Sequence, residues 1–233
     1  SLGVQDFNPD VQKAINRIQP YEMTKQVIDW LRADGIEEIN LDLMYGLPYQ
    51  SEAGIIETVD RALTLEPSRL ALFGYAHVPW MKKHQKLIDE AALPDSQERC
   101  AQYTAAREHL IGKGFVPVGL DHFTRNDDSM AVALKSGKLR RNFQGYTTDT
   151  SDILIGLGAS AIGSLPQGYV QNAPHTNHYR DAITQGRLAT AKGIAVSDED
   201  RLRRYVIERL MCDTTIDLGA ACRKFNVGAL YTI

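Results

Sequence analysis

The sequence predicts an α/β fold with a parallel sheet, on three observations. Short apolar stretches alternate with amphipathic helical stretches of roughly 12 to 20 residues, the pattern of successive βαβ units. Four such strands follow one another, Leu2 to Phe7, Glu38 to Met44, Arg69 to Val78 and Phe115 to Phe123, which fits a segment of a parallel barrel. Polar residues out of keeping with their surroundings, Gln5, Asp42, His77 and Asp121, fall at or near the ends of those strands, where parallel α/β barrels carry their chemistry. Residues 1–165 are therefore expected to form the later strands of a partial barrel. Residues 166–233 are expected to form a connecting segment and the start of a small helical domain.

The elements follow in order. Leu2, Val4 and Phe7 mark one face of the first strand, and Asn8-Pro9 supplies a cap and a first-turn proline for a helix over 9–18. A second helix over 20–34 places Met23, Val27, Trp30 and Leu31 on one stripe and ends at Gly35. The strand that follows runs through Leu41-Asp42-Leu43-Met44-Tyr45 into Gly46-Leu47-Pro48. A carboxylate in an apolar run needs a partner, so Asp42 is either an internal tie for the next loop or an acceptor facing a ligand.

Ser51 to Leu65 is a helix with Ile55, Ile56, Val59, Ala62 and Leu63 on one face, stopped before Pro67. Pro94 to Lys113 is a longer helix with Cys100, Tyr103, Ala106 and Leu110 inward. Asn126-Asp127-Asp128 caps a short helix, and the glycine-rich run Gly156-Leu157-Gly158-Ala159-Ser160-Ala161-Ile162 reads as a tightly packed strand and turn. Gly156-x-Gly158 lacks the third glycine of a dinucleotide fingerprint. Ser197-x-x-Asp200 is a capping box with Asp in place of Glu, opening a helix that buries Leu202, Tyr205, Val206 and Leu210. Leu218, Ala221, Cys222 and Phe225 stripe the last helix.

Composition narrows the function. A net charge of −3 offers no basic field for nucleic acid, and no run is long and apolar enough for a membrane span. With no signal peptide, a cytoplasmic setting is expected. Cys100, Cys212 and Cys222 have neither disulfide-framework nor metal-ligand spacing and read as small buried hydrophobes. No catalytic nucleophile motif and no metal-binding histidine pair is present. The pair Arg140-Arg141 is suited to a bidentate carboxylate, although a solvated basic turn is the commoner meaning.

Several runs taken together resemble a known family. Gly3-Val4-Gln5-Asp6-Phe7, Asn16-Arg17, Asn40 to Pro48, Tyr75-Ala76-His77-Val78-Pro79, Asp121-His122-Phe123 and Arg141-Asn142-Phe143-Gln144-Gly145-Tyr146-Thr147-Thr148 resemble the oxygen-independent coproporphyrinogen III oxidases (dehydrogenases) of the radical S-adenosylmethionine superfamily. The resemblance implies a partial (β/α)6 barrel with a helical C-terminal domain, acting in haem biosynthesis to turn two propionates of coproporphyrinogen III into vinyls. It implies two S-adenosylmethionine molecules, a 4Fe-4S cluster, an unidentified electron donor and a monomeric parent protein. Gln5, Arg17, Asp42, Ala76 and Ile162 match the family's S-adenosylmethionine contacts. Gln144 matches a position near the substrate, and Arg141, Arg140 and His122 are porphyrinogen-carboxylate partners by chemistry.

The family's C-x-x-x-C-x-x-C cluster motif is not in this sequence, and Cys100, Cys212 and Cys222 cannot replace it. The chain therefore reads as a piece of a longer protein, beginning and stopping in mid-fold, with no cluster ligands and no catalytic residue of its own. By itself it is expected to be inactive and either self-associated or marginally folded. The alternative is the haem-chaperone branch of the superfamily, which binds and transfers haem but carries a His-Asn-x-x-Tyr-Trp run where this chain has Arg141 to Tyr146.

Overall fold

In the computed structural model, residues 1–226 are described, and the end of the expected C-terminal stretch at 227–233 lies outside them. The chain divides into two compact units, Ser1–Gly137 and Lys138–Ile233. The boundary expected at 165/166 falls inside the second unit, at the turn between two of its strands.

The first unit holds a five-stranded sheet in the order β1-β2-β3-β5-β4. Strands β1 (Leu2–Gln5), β2 (Asn40–Tyr45) and β3 (Arg69–Gly74) run parallel. They are linked through α1 (Pro9–Ala14), α2 (Tyr21–Ala33) and α3 (Glu52–Leu63). The expected cap of α1 forms, Asn8 accepting from the Asp10 and Val11 amides with Pro9 at the first helical position, while Ser51, expected as the first helical residue of α3, instead caps it by accepting from the Gly54 amide. Two 3-10 turns, Lys83–Leu87 and Glu90–Ala92, then lead to α4 (Ser96–Gly112), opened by a capping box of Asp95 and Glu98.

The expected fourth parallel strand is replaced by a hairpin. Gly119 takes a positive φ of 62° and splits the apolar run into β4 (Val116–Val118) and β5 (His122–Thr124). β5 lies antiparallel beside β3, and β4 forms the edge, where Pro117 needs no ladder amide. The short helix α5 (Ser129–Lys135) follows, capped by Asp128 as expected. The sheet is thus mixed, parallel over three strands only.

Val4, Leu41, Leu43, Leu70, Leu72 and Phe123 bury one sheet face against Ile28, Ile55, Val59, Ala62, Ala106 and Leu110 from the helices. Each large side chain removed from water there contributes about 1.5–3 kcal/mol. On α2 the inward positions are Thr24 and Ile28, with Leu31 packed beside them. Met23 and Trp30 are more than half exposed, so the expected stripe was rotated by one residue. Cys100 is likewise exposed on α4, contrary to expectation, while Cys212 and Cys222 are buried.

The second unit is assembled from small antiparallel pieces and three helices. β6 (Arg140–Asn142) and β7 (Gly145–Thr147) form a hairpin. β8 (Ile162–Leu165), β9 (Gly168–Asn172) and β10 (Thr190–Ala195) form a sheet in the order β10-β9-β8, with α6 (Thr176–Thr184) between β9 and β10. Strands therefore occupy much of what was expected to be a connecting segment ahead of the helices. Gly168 has φ +156° at the turn into β9, and a Cβ there would overlap the Ile194 carbonyl of β10. The predicted capping box of Ser197 and Asp200 opens α7 (Asp198–Asp213), and α8 (Leu218–Phe225) follows. Leu202 is buried, Tyr205 and Val206 half-buried, but Leu210 and Leu218 are largely exposed, which corrects two expected core positions.

Candidate functional site

Opposite the helix-packed face of the first unit's sheet, strand pairing aligns Gly3, Asp42, Ala71 and His122 in one row across β1, β2, β3 and β5. Asp42 therefore sits in mid-strand rather than at a strand end. Its carboxylate accepts from the Ser1 hydroxyl at 2.8 Å and the Asn40 amide at 2.7 Å. Asn40 opens the same strand and Ser1 directly precedes β1, so Asp42 is tied locally while remaining half-exposed.

Gln5 and Arg17 converge over Gly3. Arg17 Nη2 donates to the Gly3 carbonyl at 2.7 Å, and Arg17 Nε to Gln19 at 3.3 Å. A Cβ on Gly3 would lie 3.0 Å from Gln5 Nε2 and 3.1 Å from Arg17 Nη2, so a side chain there would have to push the ends of those two side chains aside by a few tenths of an ångström. Gln5 itself has φ +67° at a register shift in β1, a conformation that costs a non-glycine residue about 1–3 kcal/mol. The carbonyl oxygen of its side chain is buried without a hydrogen-bond partner among the described residues. Gly3, Gln5 and Arg17 thus form a strained crevice with an unanswered acceptor.

Ala76 is exposed just past β3, its carbonyl accepting from Gln85 Nε2 at 3.0 Å. The neighbouring His77 lies between the Tyr75 hydroxyl at 3.1 Å and Glu90 at 3.0 Å. His122 Nδ1 is 2.6 Å from Asp121 Oδ1, with its ring edge-on to Phe73. Gln5, Arg17, Asp42, Ala76 and His122 all belong to the first unit.

Ile162, Gln144 and Arg141 belong to the second unit. Gln144 is exposed at the β6–β7 turn, where Asn142 Oδ1 accepts from the Gln144 and Gly145 amides. Ile162 begins β8. A Cβ on Gly156 would lie 2.9 Å from the Ile162 carbonyl, so the glycine-rich run folds back tightly on this residue. Asn172 Nδ2 donates to the Gly156 and Gly158 carbonyls, and Gly158 N donates to the Tyr179 hydroxyl, each at 3.0 Å. The run is packed as expected, yet it is an irregular loop joined by a Leu154–Ser164 bridge rather than a strand.

Arg140 is taken up by the Thr150 carbonyl at 2.9 Å and by Asp152 and Glu208. Arg141 differs, for its guanidinium lies 5.3 Å above the Tyr146 ring and its Nε is buried without a partner. A cleft of about 260 Å³ opens at Arg141 and is lined also by Phe143, Ser164, Tyr169, Arg204 and Ile207. Ser164, Tyr169 and Arg204 were not singled out in the sequence, because they lie on separate elements with no shared spacing.

Asp6, quoted only within a motif, is a fully buried carboxylate of the first unit. Its two oxygens accept from Asn8 N at 2.6 Å, Thr58 Oγ1 at 2.9 Å and Gln50 Nε2 at 2.6 Å. Burial pushes its carboxyl up, against the pull of those donors.

A 4Fe-4S cluster does not fit these residues. Among the described residues no group of three or more His, Cys, Asp or Glu is placed to hold a metal. Cys100 is exposed on α4, and burial pushes the Cys212 thiol up to about 11, away from the thiolate a cluster needs.

The family model described as Radical SAM superfamily matches residues 1–62. An oxygen-independent coproporphyrinogen III oxidase from Bradyrhizobium diazoefficiens is 56% identical over 96% of this chain and 50% of its own length. That of Helicobacter pylori is 42% identical over 97% of this chain and 50% of its own length. The solved coproporphyrinogen III oxidase of Escherichia coli, a radical SAM enzyme, is 38% identical with a TM-score of 0.88, covering 97% of this chain and 52% of that one. The chain thus spans about half the length of the curated relatives it matches.

Proposed function

We propose that this chain, a homologue of the oxygen-independent coproporphyrinogen III oxidases with a Radical SAM superfamily segment at residues 1–62, is part of an oxidoreductase that decarboxylates coproporphyrinogen III. The observation that carries the reading is the 56% identity sustained over 96% of the chain. In this reading two propionates become vinyls with loss of two carbon dioxides, giving protoporphyrinogen IX, and the reducing electron comes from a donor not yet identified. The oxidase names of the relatives favour this over the haem-chaperone alternative.

Residues 1–165 then supply later strands of a partial (β/α)6 barrel and 166–233 the start of the C-terminal domain. S-adenosylmethionine, of which the whole protein would bind two molecules, supplies the radical chemistry when bound. The chain's own part is to hold it. Gln5, with its free amide oxygen, and Arg17 address the amino-acid group, Asp42 the ribose hydroxyls, and Ala76 and Ile162 the adenosine. Gln144, Arg141 and His122 face the substrate in this assignment. A cluster is not held by this chain's described residues, so the chain alone is inactive.

The test uses the full-length protein, anaerobically loaded with iron and sulfide. Conversion of coproporphyrinogen III to protoporphyrinogen IX with matching consumption of S-adenosylmethionine is the expected result. A cluster-replete protein that consumes neither overturns the reading. Reconstitution of a stoichiometric cluster on residues 1–233 alone would overturn the division of labour.

A further inference from the structure

The cleft at Arg141 is built from polar groups that the protein leaves unanswered. Arg141 Nε and Ser164 Oγ are both buried without a hydrogen-bond partner among the described residues, and Ser164 is only 6% exposed. Leaving such groups dry costs about 1–3 kcal/mol each, a cost that a ligand can remove. The Arg204 guanidinium, on α7, lies 5.6 Å over the Tyr169 ring, and Arg141 lies over Tyr146. Both cations thus rest on aromatic faces rather than on carboxylates.

The acidic neighbours are otherwise engaged. Glu208 lines the same cleft, but it accepts from the Arg141 backbone amide at 3.3 Å and pairs with Arg140 at 3.5 Å and Arg209 at 3.7 Å. In a smaller neighbouring cavity of about 40 Å³ that shares Arg141, Ser164 and Arg204, Asp152 faces Arg140 at 3.8 Å and Asp149 accepts from the Ser151 amide at 2.8 Å. Two unclaimed guanidinium groups and a free hydroxyl therefore share a cavity with the apolar side chains of Phe143 and Ile207.

We infer that this cleft is a carboxylate-anchoring site, in which Arg141, Arg204 and Ser164 hold an organic acid whose apolar ring body lies against Phe143, Tyr169 and Ile207. Guanidinium and hydroxyl donors around one anion make charge-assisted hydrogen bonds, roughly twice as strong as neutral ones. The ligand class is an aromatic ring bearing a carboxylate on a short arm. Its identification as a propionate of the porphyrinogen rests on the function proposed above.

The test takes the full-length protein and two pairs of probes, 3-(2-naphthyl)propionate against its amide, and coproporphyrin III against its tetramethyl ester, with binding followed by fluorescence. Each acid should bind at least about tenfold more tightly than its neutral partner. Arg204→Gln, an exposed position, and Ser164→Ala should each weaken the acids about three- to tenfold and leave the neutral probes unchanged, with melting temperature retained. Arg141→Lys should keep the charge and lose part of the preference. Acids and neutral probes bound alike, or variants that leave the preference intact, overturn the site. If the preference behaves as stated but the wild-type protein makes no protoporphyrinogen IX, the carboxylate cleft stands and the proposed function falls.

Discussion

Asp6 and Ser164 are both buried polar residues, 0% and 6% exposed, in separate units of the chain. Asp6 has donors on both oxygens, one of them the Gln50 amide, which is itself pinned by Met44 and Leu47. Ser164 Oγ has none, and neither has Arg141 Nε beside it. The first arrangement spends its polar groups on holding α1, α3 and the loop after β2 to β1. The second keeps them available to something else. Hydrogen-bond satisfaction, rather than burial or charge, separates the structural polar group from the one left for a ligand.

That contrast can be broken at its strongest point first. Leu41→Ala removes a wholly buried side chain from the first unit's sheet and should cost about 3 kcal/mol of unfolding free energy in denaturant titration. A loss below about 1 kcal/mol would mean that the core around Asp6 is not what holds that unit.

Asp6→Asn is the sharper probe. An amide nitrogen must then face either the Asn8 amide or the Gln50 amide, both of which donate, and about 2 kcal/mol should be lost despite the relief of burying a charge. Burial raises the Asp6 pKa above its unfolded value, so this carboxyl's own proton linkage favours folding below the unfolded pKa and fades as pH rises through the folded one. An Asn variant as stable as wild type at neutral pH would show that desolvation outweighs the donors.

Asp60 gives a smaller effect of opposite sign. The His109 hydrogen bond holds its carboxyl below the usual range, so its contribution is present above the unfolded pKa near 4 and lost as pH falls through the folded value. The carboxylate is 45% exposed, which limits the loss to about 0.5 kcal/mol; Asp60→Asn should flatten that part of the acid limb. Ser164→Ala completes the series at the other extreme. It should leave stability unchanged or raise it by up to about 1 kcal/mol, since no hydrogen bond is lost and an unanswered buried hydroxyl is removed. A loss like that of Asp6→Asn would erase the distinction.

Much of the first unit was legible. Asn8-Pro9 there, like Ser197 in the second unit, acts locally through neighbouring amides, and a cap needs no tertiary information. The reversal at Gly119 was hidden because the residues on both sides are equally strand-like, and one positive φ decides the topology. On α2, Met23 and Trp30 are as apolar as the residues that turn inward, so the stripe could be read one position off. The strands of the second unit are three to six residues long and carry Arg, Asn, Thr and Gly, so neither periodicity nor composition announces them. Asp42 was correctly marked as a carboxylate needing partners, but the fully buried one was Asp6. The meeting of Ser164 with Arg204 depends on tertiary folding and left no trace in spacing.

The β4–β5 hairpin also bears on the order in which the first unit assembles. At one edge of its sheet Val118 meets His122 across a tight turn, while at the other Leu2 meets Leu41 only after two helices have intervened. Closing the short loop costs far less chain entropy than closing the long one, and contacts close in sequence form sooner. The β4–β5 edge is therefore placed to form early and to template β3, with β1 docking last. The strained crevice at Gly3 and Gln5 would then be the final part of the sheet to take shape, and the first to open when the native state breathes.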